Sequence, residues 1–278
     1  MRRFLIMIIP VILLIHCDYS TITEDYNPDY QPELSVYSLI STDGSDEFVI
    51  VERTRLINEY DSLNVGNFTI IDDAEVLIIN ETDTCRFTFY KKSPSDTVPD
   101  ESYLYKGMYL DLNNEFQAIP GKTYQLIVTT SDGKKVTGST TVPGIPNITN
   151  PSAFSVIQKK TIKANTIEWD NASNAIGYSG EFFIRIKGLD EQINIMEDVF
   201  VYDSFFKLNG IDDFLLLNDI VPLIDTATVK IYALDQNSYD YASKTTLASM
   251  VGADLKLLYG GIGAFGSYSV DSVKVILE

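Results

Sequence analysis

A chain of 278 residues with 21 basic against 39 acidic side chains, net −18, is too acidic to grip nucleic-acid phosphates or anionic headgroups by charge. One histidine and two cysteines supply no disulfide framework and no thiolate metal cluster. The length is enough for one or two domains, each with a buried core.

Residues 1–16, MRRFLIMIIPVILLIH, read as a secretory signal peptide. Arg2 and Arg3 form its positive start, and the apolar run Phe4–Ile15 falls short of the ~20 residues that cross a bilayer. Leu14-Ile15-His16-Cys17 resembles the lipobox of bacterial lipoproteins, in which the cut precedes a Cys whose sulfur carries diacylglycerol; His16 departs from the small residue usual there. Cys17 is therefore the expected lipid attachment, and an ordinary secreted protein with an incidental Cys17 is the alternative. Each buried CH₂ contributes roughly 0.8 kcal/mol, so several acyl chains are needed for a firm anchor. The only histidine leaves with the leader, and with it any Ser-His-Asp or Cys-His constellation and any imidazole base near neutral pH. Residues 17–33 form a lipidated tether, DYSTITEDYNPDYQPE after the Cys, polar and nearly free of aliphatics. Its acids Asp18, Glu24 and Asp25 are similar to the export signals of surface lipoproteins, or serve only to keep the tether solvated.

From Leu34, short runs with period-two alternation recur, and residues 34–143 are expected to form an antiparallel β-sandwich. LSVYSLI (34–40) and EFVIVER (47–53) flank a turn containing Asp43-Gly44, and AEVLIIN (74–80) and CRFTFYK (85–91) follow. TYQLIVTT (123–130) and KVTGSTTV (135–142) are joined across Ser131-Asp132-Gly133, a hairpin signal. Pro143-Gly144-Ile145-Pro146 and Asn150-Pro151 break the pattern and mark a domain boundary. Residues 151–278 are expected to form a second module, like a fibronectin type III β-sandwich with one short helix. The spacing of Ile167, Trp169 and Tyr178–Ile186 is similar to strands B and C of such domains, with the Trp between the sheets. FLLLNDIVPLI (214–224) is apolar but undecided by period. TATVKIYALD (226–235) reads as a strand, NSYDYASKTTLASMV (237–251) as the helix and SVDSVKVIL (269–277) as the closing strand.

Gly261-Ile262-Gly263-Ala264-Phe265-Gly266 satisfies G-x-G-x-x-G, but a dinucleotide loop opens a helix within a βαβ unit, and only a strand-like run follows. These glycines are expected to allow positive φ and close backbone approach ahead of the last strand. Cys85 alternates with Phe87 and Phe89 and reads as a small buried hydrophobe. Asp72-Asp73 and Asp212-Asp213 read as turn residues rather than the paired carboxyls of a glycosidase. Asp43–Glu47 lacks the spacing of a calcium loop and reads as a solvated hairpin. No catalytic, cofactor-binding or metal-ligating residue is expected, and no cofactor.

Taken in order, Cys17 with its acidic tether, DDAEVLI (72–78), IPGKTYQLIVTTSDGKKVTGSTTVP (119–143), LDQNSYDYAS (234–243) and GGIGAFGSYSV (260–270) resemble a Bacteroidota lipoprotein family, domain of unknown function 4249. The resemblance implies a lipid-anchored protein of the outer membrane or cell surface, with a non-enzymatic binding or accessory role beside a TonB-dependent receptor. It transfers no catalytic residue. The expected partners are the membrane, through the lipid, and that receptor; nucleic acid is not one, and the ligand is open. The alternative is a structural or adhesive surface β-sandwich protein.

Overall fold

The computed structural model describes residues 30–43, 47–54, 69–91, 107–186, 192–194, 199–201, 204–207, 224–251 and 257–278. Cys17, most of the tether, Asp212-Asp213 and nearly all of 214–224 lie outside the described residues.

Alternation of apolar and polar side chains does what the sequence pattern implies, and the protein is mainly β. In chain order the strands are β1 (Leu34–Ser41), β2 (Phe48–Arg53), β3 (Glu75–Ile79), β4 (Thr84–Tyr90), β5 (Met108–Leu110), β6 (Thr123–Thr129), β7 (Lys135–Thr141) and β8 (Asn147–Asn150). After them come β9 (Val156–Ile157), β10 (Thr166–Asp170), β11 (Gly177–Ile186), β12 (Gln192–Asn194), β13 (Val199–Val201), β14 (Phe205–Lys207), β15 (Ile224–Leu234) and β16 (Ile262–Leu277). A 3₁₀ helix covers Lys159–Ala164, and the α-helix α1 covers Gln236–Val251.

The main sheet runs β12-β11-β15-β16-β1-β2-β5-β4-β3-β6-β7. Past β5 it curls around a core built from Val36, Ile40, Val49, Val76, Phe87, Tyr109, Tyr124, Leu126 and Val136. The far strand β7 comes back to the start of β16, where Thr137 and Tyr259 exchange backbone hydrogen bonds of 3.0 and 2.9 Å. Two tyrosines brace this core from inside: the Tyr109 hydroxyl donates to the Ile71 carbonyl (2.9 Å), and that of Tyr124 to the Gln117 carbonyl (3.1 Å). The turn at Ser131-Asp132-Gly133 forms as its residues require, with Gly133 at φ +85°.

A second core lies between the main sheet and a three-stranded sheet β14-β10-β8. Ile167 and Trp169 of β10 meet Phe182 and Ile184 of β11, Val229 and Ile231 of β15, and Val273 and Val275 of β16. Trp169 and Tyr178 pack across the gap with their rings tilted and centroids 5.3 Å apart, the inter-sheet position that the spacing implies. The chain passes from one core to the other through the Pro143–Pro151 segment. The strand β16 serves both, giving Phe265 to the first and Val273, Val275 and Leu277 to the second.

Two features of the closing strand differ from the sequence reading. The last strand starts at Ile262 rather than 269, so the glycine motif lies inside it and not ahead of it. And β16 pairs in parallel with β1, Val36 opposite Gly263 and Ser41 opposite Tyr268, in a chain whose other main pairs are antiparallel. The glycines make that pairing possible. Gly263 has φ +111°, and a Cβ there would stand 2.0 Å from the Val36 carbonyl oxygen.

Candidate binding face on the main sheet

Each central strand of the main sheet gives one face to a core and the other to α1 and solvent. On β15, Ala227, Val229, Ile231 and Ala233 are buried in the second core, so Thr228, Lys230 and Tyr232 point the opposite way. On β1 the core side holds Val36 and Ile40, and the opposite side Ser35, Tyr37 and Leu39. The same parity puts Glu181 and Phe183 of β11 and Tyr268 of β16 on this second face. The helix α1 lies over it; a Cβ on Gly266 would stand 2.3 Å from the Ser238 hydroxyl oxygen.

The tyrosines of this face come together. Tyr37 lies against Tyr241 of α1, centroids 4.7 Å apart, and against Phe48 of β2 at 6.3 Å. Tyr232 meets Tyr268 edge-on at 5.6 Å. The Tyr232 hydroxyl donates to Glu181 Oε2 at 2.5 Å. Burial pushes up the Tyr232 hydroxyl, followed by that bond and by the charges of Glu181, Tyr268 and Asp43. Burial likewise raises Tyr37, with Tyr241 and Tyr268 adding to it.

Acidic side chains line the end of this face. Ser41, opposite Tyr268, donates its backbone N–H to Glu47 Oε1 (2.8 Å), and its hydroxyl donates to Asp43 Oδ1 (2.6 Å). Burial pushes the Glu47 carboxyl up to about 8, against the lowering effect of its bonds from Ser41; Asp43 adds a further push upward. Glu47 is thus not the solvated hairpin residue that its sequence context suggests. Its linkage has a definite sign. Folded Glu47 keeps its proton to about pH 8, while the unfolded chain releases it near 4.5, so stability falls as pH rises between the two. Glu47→Gln keeps the acceptor for the Ser41 N–H and removes the titration. It is expected to leave the urea midpoint unchanged near pH 4 and to raise stability by about 1–3 kcal/mol above pH 8. An unaltered pH slope in the variant would refute this.

The arrangement suits holding better than cleaving. Asp43 and Glu47 stand at one serine instead of facing each other across a gap as hydrolytic carboxyls do. Among the described residues, no three His, Cys, Asp or Glu side chains come together to hold a metal ion. Cys85 is buried in the first core, and burial first, then the Asp111 and Glu115 charges, push its thiol up to about 11. It is poorly suited to act as a nucleophile at neutral pH. Asp72 and Asp73 are exposed ahead of β3, as expected of turn residues. Among the described residues, no helix is long and apolar enough to cross a membrane.

Sequence reading missed Tyr37, Tyr232, Tyr241, Tyr268, Glu47 and Glu181 as a group. A signal exists: VYS, IYA and SYS each set a Tyr between residues of the opposite strand phase.

A knot of polar side chains fastens α1 over this face. Asp235 is the helix N-cap, its Oδ1 accepting from the N–H of Ser238 (2.8 Å) and of Ser267 (3.0 Å). Its Oδ2 accepts from the Thr140 hydroxyl of β7 (2.6 Å). Asn237 Nδ2 donates to the carbonyls of Ser139 and Phe265, both at 2.8 Å.

Comparison with known molecules adds the following. Three similar solved structures are DIP-gamma IG1+IG2 (13% identical, 90% of this chain and 98% of that chain covered, TM-score 0.20), the FN1–FN3 domains of chicken CNTN1 (14%, 88% and 64%, 0.19), and a tetra-tandem repeat from the extending region of a large adhesion protein (11%, 89% and 50%, 0.24). Superpositions this loose transfer no site and no role. No curated protein matches the chain. Residues 20–273 match the family model described as Domain of unknown function (DUF4249), and the chain belongs to that family.

Proposed function

We propose that this chain is a lipid-anchored protein of the cell envelope, non-enzymatic, which holds a ligand or partner on its tyrosine-lined face in an accessory role beside a TonB-dependent outer-membrane transporter. The observation that carries the binding role is the convergence of Tyr37, Tyr232, Tyr241 and Tyr268 from three strands and a helix onto one face, with carboxylates at its margin. Tyrosine offers a large rigid surface with a polar tip, at a small cost in conformational entropy on binding. The anchor and the transporter rest on the leader, on Leu14–Cys17 and on the resemblance to envelope lipoproteins.

Intact-mass analysis of protein purified from its native membrane should show a chain that begins at Cys17 and carries acyl chains. Mild detergent extraction and capture through a C-terminal tag should bring down a large β-barrel receptor. An unacylated soluble protein would remove the anchor, and capture of no barrel would remove the accessory role. Recovery in sheared filaments would move the protein to the adhesive class.

A further inference from the structure

Which ligands suit the face follows from its charge. Glu181 lies directly across the ladder from Lys230, the neighbour placed to neutralise it. Lys230 instead holds its ammonium over the Phe183 ring, 5.3 Å from the centroid. Glu181 is bonded to the Tyr232 hydroxyl and forms no ion pair among the described residues. The charge of Asp43 also acts on the Tyr232 hydroxyl, as the weakest of the influences on it. The chain as a whole is strongly acidic, so it attracts cations in general. Aromatic faces beside carboxylates hold ammonium and guanidinium groups through the ring quadrupole and charge-assisted hydrogen bonds. The Lys230–Phe183 contact shows the same chemistry already at work on this face.

Resting on the binding role proposed above, we infer that the face formed by Tyr37, Tyr232, Tyr268 and Glu181 selects an organic cation, an ammonium or guanidinium group presented by a basic ligand. A guanidinium stacked on Tyr232 would meet Glu181, which the Tyr232 hydroxyl already reaches, whereas a neutral sugar would bring that carboxylate no opposite charge.

The test uses the full chain and three probes in calorimetry: a hexa-arginine peptide, spermidine and maltohexaose. Hexa-arginine is expected to bind saturably, and more weakly as salt is added. Glu181→Gln and Tyr268→Leu should each weaken it about ten-fold, and the control Asp72→Asn should leave it unchanged. Binding of spermidine with the same losses would assign the site to small amines as well as basic peptides; its failure would restrict the site to guanidinium. Circular dichroism and melting of each variant confirm that it is folded, and Tyr232→Phe, which keeps the ring, is the milder second variant. Equal weakening by Asp72→Asn would mean diffuse attraction to an acidic surface and would overturn the inference. Binding of maltohexaose with loss in Tyr268→Leu would also overturn it, while leaving the face a binding site. Binding of no probe ends the inference, and receptor capture decides the accessory role separately.

Discussion

Gly263→Ala is expected to destabilise the protein by about 4 kcal/mol or more, enough to prevent folding of a domain of ordinary stability. Two effects add. The residue sits at φ +111°, where a Cβ is strained, and that Cβ would meet the Val36 carbonyl oxygen at 2.0 Å. Val36 cannot retreat, because β1 is held on its far side by β2, with Val36 opposite Val51. Gly133→Ala is the control: φ there is +85°, but a Cβ would meet nothing within 4 Å, so only the backbone cost of about 1 kcal/mol remains. Urea unfolding followed by Trp169 fluorescence measures both. Equal losses at the two glycines would mean that close approach of β1 to β16 is not what the motif serves.

Asp235→Ala is expected to cost about 3–5 kcal/mol, more than a typical helix-cap loss of about 1 kcal/mol. The carboxylate takes three hydrogen bonds in a buried position, and its removal strands the N–H groups of Ser238 and Ser267. The partners belong to β7, α1 and β16, so the damage spreads to the edge where the first core closes and to the helix over the tyrosine face. Asp235→Asn keeps one acceptor oxygen and should lose about half as much. A loss in Asp235→Ala under about 1 kcal/mol in the same unfolding measurement would show the knot to be incidental to stability.

Most strands were legible because their signal is local. CRFTFYK and TYQLIVTT each carry one alternating face, and the expected and observed bounds differ by a residue or so. The Met108–Leu110 strand was not legible. Three residues carry too little pattern, and this strand exists because it bridges β2 and β4. The helix was legible in position, Gln236–Val251 against 237–251, but the reason it starts there is a carboxylate bonded to two distant strands. The closing strand was read too short because its glycines looked like a turn. Glycine in a strand marks close backbone approach as readily as a bend, and only the neighbouring chain tells which.

The sequence by itself determined the mainly β class, the turn at Ser131-Asp132-Gly133 and the inward place of Trp169, for each depends on residue type and short-range spacing. The tertiary structure alone decided the parallel pairing of β1 with β16 and the gathering of Tyr37, Tyr232, Tyr241 and Tyr268 on one face with Glu181. Both join stretches from opposite ends of the chain. Alternation says that a tyrosine points away from the core, but not which strand lies beside it. That is set by which backbones can pack closely enough to share hydrogen bonds, and here by Gly263 and Gly266, which let a strand and a helix approach where any side chain would hold them apart.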